Sequence, residues 1–342
     1  MAAGLPPPLP ESFSVAEERS GHCAVVDGNC LYVWGGYVSI EENEVYLPND
    51  ELWIYEIDSG LWSMHLMEGE LPPSMSGSCG ACLRGKLYLF GGCDDKGYSN
   101  GEGQVFWGWH NDVHVFDTTL QAWYQPTIKQ GVPPQPRAAH ACAVLGNKGF
   151  VFGGRVLQTR MNDLHSLNLD TWVWSGQICT NGEKPRDRSW HTLTSLADGK
   201  LFLYGGLSSD NVPLSDGWMY GVATNEWKQL AYLPQSRPRL WHTACLGKEG
   251  EVMVFGGSKD DLHFLDTGHC SDLLIFQTQP YSLFRLSLDC IAKNTVLLES
   301  QISWLPSRLL EEAADKITFW AAVNYRQEKK AKEEGQEQIQ VS

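Results

Sequence analysis

Two arginines are placed as though for binding an anion. Arg155 and Arg160, in GGRVLQTR, follow a Gly-Gly pair and break the pattern that the chain's other Gly-Gly pairs share. A guanidinium is a planar fork of donors that suits carboxylate or phosphate. In a chain of net charge −15 such a cluster is more informative than in a basic one. Arg137, Arg188 and Arg239 differ, because each stands three residues before a histidine (His140, His191, His242), as Arg19 does before His22. A residue that recurs with fixed spacing reads first as part of a structural repeat. We expect these arginines to pair with an Asp of a neighbouring repeat unit, and the histidines to make structural hydrogen bonds. Histidines one unit apart cannot converge on one metal ion.

Other chemistry finds little support. Ser189 and His191, in RSWH, lie close in sequence, but the hydroxyl has no oriented base. The chain has no Gly-rich phosphate loop, no H-E-x-x-H and no G-x-S-x-G. We therefore expect no enzyme, no cofactor and no metal. Cys79 and Cys82 form a C-x-x-C within a strand pattern, without the helix start or second pair that redox or zinc chemistry needs. The ten cysteines show no framework spacing and are expected to be reduced core residues of a cytoplasmic or nuclear protein. The acidic balance argues against nucleic acid and anionic membrane. No run of eighteen apolar residues suits a membrane span.

The elements that must position these residues follow from five Gly-Gly pairs: Gly35-Gly36, Gly91-Gly92, Gly153-Gly154, Gly205-Gly206 and Gly256-Gly257. Their separations are 56, 62, 52 and 51 residues, and each ends an apolar run such as LYVWGG or LFLYGG. A period of about fifty residues marks an array or propeller. After each pair an Asp opens an alternating run (Asp50, Asp112, Asp163, Asp216, Asp272), and eleven or twelve residues later comes Trp62, Trp123, Trp174, Trp227 or, in the fifth unit, Phe284. Each unit reads as four short antiparallel strands, the first after the His, the second ending at Gly-Gly, the third after the Asp, the fourth carrying the Trp. Four strands repeated radially make a β-propeller blade, with Trp and Tyr filling the wedge between blades. We expect an all-β propeller over 19–284, with repeats of about 19–75, 76–136, 137–187, 188–238 and 239–284, after a tail over 1–18.

Strand alternation then predicts a binding mouth. The loops after the second strands and the R-x-x-H turns open on one face. That gathers Tyr37, Trp109, Arg155, Arg160, Arg188, Ser189, Trp190, Arg239 and Trp241 around the central channel. Past the last blade the β pattern stops. Leu309, Leu310, Ala313, Ile317, Trp320 and Ala321 recur at helical spacing after Pro306, so 282–325 reads as a helical segment and 326–342 as a charged tail.

The repeat grammar resembles the kelch motif. Segments such as RSGHCAVVDGNCLYVWGGY, WGWHNDVHVFD, RMNDLHSLNLDTW and PRLWHTACLGKEGEVMVFGG extend the resemblance to the kelch-domain substrate receptors of cullin–RING ubiquitin ligases. That resemblance implies a receptor that binds the C-terminal, Gly-ended degrons of target proteins and is not itself an enzyme. It implies Arg155, Arg160 and Ser189 on the degron carboxylate, with Tyr37, Trp109 and Trp190 as pocket walls. It also implies docking to Elongin B/C through a box from Ser282-Leu283 to Ile291, with Ser287 where the box usually has Cys. A cullin-preference element, Leu305-Pro306 and Leu309, would select a type 5 or type 2 cullin with its RING protein. The receptors have six repeats and this chain five. The missing stretch falls near Asn100–Gln104 and takes with it a Lys and a Tyr of the family pocket. A plain kelch scaffold, or a receptor variant that reads no degron, is the alternative. We expect a compact five-repeat propeller whose most irregular part is the loop from Asp94 to Asn111.

Overall fold

A computed structural model describes residues 15–41, 43–99, 105–231, 237–260, 269–294, 305–318 and 321. The chain divides into two compact units, residues 1–276 and 277–342. Among the described residues, no helix is long and apolar enough to cross a membrane.

The first unit is a five-bladed β-propeller, mostly strand. Blade one is Cys23–Asp27, Cys30–Trp34, Glu51–Glu56 and Leu61–Leu66, paired antiparallel in chain order. Blade three (Ala141–Leu145, Lys148–Phe152, Leu164–Asn168, Val173–Gln177) and blade four (Thr192–Ser195, Lys200–Tyr204, Gly217–Gly221, Glu226–Gln229) repeat that order. Blade five shows three described strands, Thr243–Leu246, Glu251–Phe255 and Leu273–Gln277. The turns fall where the glycines sit. In Gly36 a β-carbon would lie 2.5 Å from the Ser20 carbonyl oxygen, and its φ is +87°, a combination open only to glycine.

Blade two is irregular between Asp94 and Asn111 as expected, but the described residues there are strand and not loop. Its second and third strands run as one long hairpin, Lys86–Ser99 against Val105–Asp117, straight through Gly91-Gly92. Register shifts between Phe106 and Gly108 and between His110 and Val113 bend it, as bulges do. Asp94 and His110 meet across the hairpin at 2.9 Å. Residues 100–104, where the missing stretch was expected, lie outside the described residues.

Four apolar clusters fill the wedges between successive blades. Trp34, Leu87, Phe116 and Trp123 join blades one and two, and Phe90, Val151, Leu167 and Trp174 join two and three. Phe152, Leu203 and Trp227 join three and four, and Phe202, Tyr204, Val254 and Phe276 join four and five. The Trp slot works as expected, with Trp123, Trp174 and Trp227 set against Trp34, Phe90 and Phe152 of the preceding blade. In the fifth unit Phe284 does not fill it. Ser282 caps a helix, Leu283–Lys293, and Phe284 lies in its first turn. Phe276 packs on Tyr204 instead, with ring centroids 4.6 Å apart.

Two further corrections concern side-chain pairing. Cys79 and Cys142 form a disulfide rather than remaining reduced, because they face one another from the inner strands of blades two and three with α-carbons 5.8 Å apart. The R-x-x-H arginines pair within their own blade. Arg137 holds Asp163 with contacts of 2.7 and 2.8 Å, and Arg188 holds Asp216 identically. The inter-blade bonds fall to the histidines. His140 Nε2 donates to the Phe90 carbonyl and His191 Nε2 to that of Phe152.

The second unit holds the helix Leu283–Lys293 and a second over residues 307–318, where the helical spacing predicted one. Pro306 O accepts from the amides of Leu309 and Leu310, opening that helix. Lys316 reaches Asp289 at 3.4 Å and ties the two together.

Candidate functional site

Two tiers of residues ring the channel mouth, and the backbone fixes both. After each Gly-Gly one residue pairs with the second residue of an R-x-x-H-type turn: Tyr37 with Ser20, Cys93 with Ser76, Arg155 with Ala138, Leu207 with Ser189, Ser258 with Leu240. The upper tier is therefore Tyr37, Cys93, Arg155, Leu207 and Ser258. The lower tier is the next residue of each turn: Gly21, Gly77, Ala139, Trp190 and Trp241. All five adopt left-handed φ, between 55° and 67°. For Trp190 and Trp241, both at 57°, that conformation costs about 1–2 kcal/mol each. Strain retained in bulky residues marks a place where the side chain matters.

Arg155 is the one ionised residue in the two tiers. It sits on a two-residue strand, Arg155–Val156, paired with Thr159–Arg160, so the two arginines face each other across a tight hairpin. Its guanidinium lies over the Trp190 ring at 4.9 Å from the centroid, with Trp109 at 5.9 Å on another side. Both are cation–π distances. Among the described residues no carboxylate lies within ion-pair distance of it. Burial lowers its pKa from the usual value, with Cys93 and Glu44 opposing. Trp109 Nε1 is buried without a hydrogen-bond partner. An unpaired guanidinium beside an unpaired indole N–H is a donor set short of an acceptor.

Arg160 is built in differently. It is buried, its Nε donates to Ser189 Oγ at 2.9 Å and its Nη1 to Asn211 Oδ1 at 3.1 Å. Its guanidinium also lies 5.7 Å from the Trp190 ring. Ser189 was expected to meet the ligand. It is fully buried, with its hydroxyl accepting from Arg160, so it stands behind the guanidinium. Tyr37 packs against Tyr46 with the rings tilted and centroids 6.0 Å apart, across the hairpin Tyr37–Ile40/Asn43–Tyr46, and Tyr46 bonds Ser76. Trp241 packs edge-on against Trp190 at 4.9 Å. Arg188 and Arg239, gathered into the mouth by the topology, are buried beneath it on Asp216 and Asp272.

Sequence reading missed Asn211, Tyr46 and Asp94–His110. Asn211 has φ 58° and receives Arg160, and its signal was the polar SSDN turn after the fourth Gly-Gly. His110 has its pKa raised by Asp112 and by Asp94, against burial, and it braces the hairpin that delivers Trp109. Of the helical segment, Leu283 is 83% exposed, with Phe284 and Leu286 also exposed, while Ile291, Leu305 and Leu309 are half-buried and Pro306 is exposed. Ser282 Oγ accepts from the Arg285 amide as the helix cap. Among the described residues no cluster of His, Cys, Asp or Glu is placed to hold a metal.

Comparison with known proteins agrees with this architecture. Residues 9–206 match the KLHDC2/KLHL20/DRC7 Kelch-repeats domain, and residues 194–234 match the Kelch motif. The chain is 62% identical to mouse (Mus musculus) Kelch domain-containing protein 1, covering 97% of this chain and 98% of the relative. It is 63% identical to the human (Homo sapiens) protein of that name, covering 94% and 96%, and 41% identical to Kelch domain-containing protein 2 of Bos taurus, covering 92% and 95%. The mouse alignment is 397 residues long, yet 97% of 342 residues is about 332. About 65 positions of the relative therefore face no residue here, roughly one repeat. The chain belongs to the kelch-repeat family, in the group of these kelch domain-containing proteins.

Proposed function

We propose that this kelch-family chain is a substrate-recognition subunit of a cullin–RING ubiquitin ligase, binding the free C-terminal end of target proteins at the channel mouth. The observation that carries the reading is Arg155: half-buried, wedged between Trp109 and Trp190, and without a carboxylate of its own. A peptide carboxylate would supply the missing acceptor. Arg155 would take the charge, with Trp109 Nε1–H as a second donor. Arg160, fixed by Ser189 and Asn211, would complete the positive wall. Gly at the peptide end fits a mouth narrowed by Trp190, Trp241, Trp109 and Tyr37, where a side chain would meet indole. The catalytic step belongs to the ligase partners, and the chain's part is binding.

The helical unit would supply the other half of the role. An exposed Leu283 at a capped helix start, followed by exposed Phe284 and Leu286, is a short apolar ridge of the kind Elongin C would bury, with Elongin B alongside. Leu305, Pro306 and Leu309 would then face the cullin. Burying one Leu contributes about 1.5–3 kcal/mol, so Leu283→Ser should abolish most capture of Elongin C in a pull-down, and unchanged capture would remove the adaptor role. The pocket is tested by titrating a Gly-ended peptide against its C-terminally amidated twin. At least tenfold weaker binding of the amide is expected, and equal binding of the two rejects carboxylate recognition. The second reading, a variant that docks partners but reads no degron, is favoured by the missing repeat. It predicts that neither peptide binds while Elongin capture survives.

A further inference from the structure

Among the described residues, the devices that join blade to blade occur four times. The amide of each turn's left-handed residue donates to the carbonyl of the previous one: Gly77 to Gly21, Ala139 to Gly77, Trp190 to Ala139, Trp241 to Trp190, at 2.8–3.0 Å. The second glycine of each pair donates to the next blade: Gly36 to Met75, Gly92 to Arg137, Gly154 to Arg188, Gly206 to Arg239. Among the described residues the apolar clusters likewise number four. Among the described residues, no member of any series joins blade five to blade one.

The side chains show the same seam. The residue before Gly-Gly is buried in four blades (Trp34, Phe90, Phe152, Tyr204), whereas Phe255 is 54% exposed. Leu273 and Ile275, on its face of blade five, are also exposed. On blade one, Trp62 is the one member of its Trp series that is not buried, and Val26 and Met64 on that face are exposed. His22 is exposed where His140, His191 and His242 are buried. These are the two halves of the interface that the repeat makes four times inside the chain. The leading half stands on blade five and the trailing half on blade one.

We propose that the chain self-associates head to tail, the first blade of one copy seating on the fifth blade of another. The occupant is a second copy because the complementary surface is the chain's own: its Trp62 face fits a Phe255 face as Trp123 fits Trp34. At net charge −15 two copies repel over most of their surfaces, whereas the strand positions of the two seam faces are neutral apart from Glu51 on blade one and Glu251 on blade five. A contact between two different faces is heterologous and propagates.

The test is sedimentation of the full chain across a concentration series, with Phe255→Asp and Val26→Asp as variants. Both positions are exposed, so both variants should fold, and circular dichroism confirms it. The wild-type mass should rise with concentration, and each variant alone should stay monomeric. A one-to-one mixture should form dimers and go no further, since the Phe255→Asp copy keeps an intact first blade and the Val26→Asp copy an intact fifth. A wild type that stays monomeric throughout, variants that assemble like wild type, or a mixture that stays monomeric each overturns the proposal. Assembly of one variant alone also overturns it, because that needs only one of the two faces.

Discussion

The turns beneath the mouth and the hairpin at its rim use the same side chain for opposite ends. In the turns, Arg137 and Arg188 are buried and spent. Each holds both oxygens of an Asp and also donates to the carbonyl of a glycine in its Gly-Gly pair, Gly153 or Gly205. At the rim, Arg155 is half-buried and faces indole rings. Arginine in an acidic protein is thus no sign of a ligand site in itself. What separates the two regions is whether the fold supplies the counter-charge. The turn arginines recur with the repeat and meet an Asp that recurs with it. Arg155 stands where the other blades carry Tyr37, Cys93, Leu207 and Ser258, and no repeat partner was built for it.

Acid should strain the turns first, because it acts on several blades at once. Burial, with Arg137 or Arg239 alongside, pushes His140 and His242 down to about 3, and burial with Arg188 pushes His191 well down. The unfolded chain takes up these protons near pH 6.5 and the folded chain does not. Stability is therefore full above about pH 6.5 and falls as pH drops toward 3. Three histidines titrating together cost up to about 4 kcal/mol per pH unit. Asp163 adds to this, since hydrogen bonds from Arg137 and His165 outweigh burial and hold it low. Thermal melts from pH 7.5 to 5 should show a steep fall, and a flat profile would mean the histidines are not buried neutral.

Next in size is Arg188→Ala, which strands Asp216 with Trp218 as its remaining bond. Breaking a buried pair from one side costs about 3–5 kcal/mol. Arg239→Ala should cost clearly less, because its Asp272 contact is 3.2 Å, Asp272 is exposed and Arg239 Nε has no partner. Urea melts of the two variants decide it, and equal losses would show that the seam does not loosen blade five.

How far the sequence spoke depended on periodicity. The Gly-Gly pairs, the Asp and the Trp placed four blades and the mouth, because a repeat states its rule several times. The reading failed where the rule is broken once. Phe284 fills the Trp slot by count but falls in a capped helix, and the blade-two hairpin runs through its glycines. The disulfide escaped because Cys79 and Cys142 are 63 residues apart and meet only across two blades. The bond from Arg160 to the Ser189 hydroxyl was not legible either, because the two residues are 29 positions apart and only the fold brings them together. The seam was invisible, since all five units look alike in sequence and only packing distinguishes a blade with two neighbours from a blade with one.

Arg155→Ala should leave the melt nearly unchanged while costing peptide affinity. A charge-assisted contact is worth roughly 1.5–3 kcal/mol, about tenfold or more, and the variant should no longer distinguish the Gly-ended peptide from its amide. A comparable loss of stability would place Arg155 with the turn arginines and dissolve the contrast between the two regions.

The smallest effect tests how the rim is held. Ser189→Ala removes the acceptor of Arg160 Nε and leaves Asn211 in place. A bond to a charged group contributes about 1.5–3 kcal/mol, but Asn211 still holds the guanidinium and the peptide feels only part of the loss, so its affinity should fall by less than in Arg155→Ala. The sharper measurement is the double variant with Arg160→Ala. If Ser189 acts by holding Arg160, removing the hydroxyl costs nothing more once the guanidinium is gone, and the double variant matches Arg160→Ala alone. If the two losses add, the hydroxyl meets the peptide directly, and a residue that is fully buried in the free chain must become accessible when the peptide binds. That outcome would make the mouth an induced site. The matching outcome would leave it preformed, with Arg155 as the charge awaiting a partner and Arg160 already fixed in place.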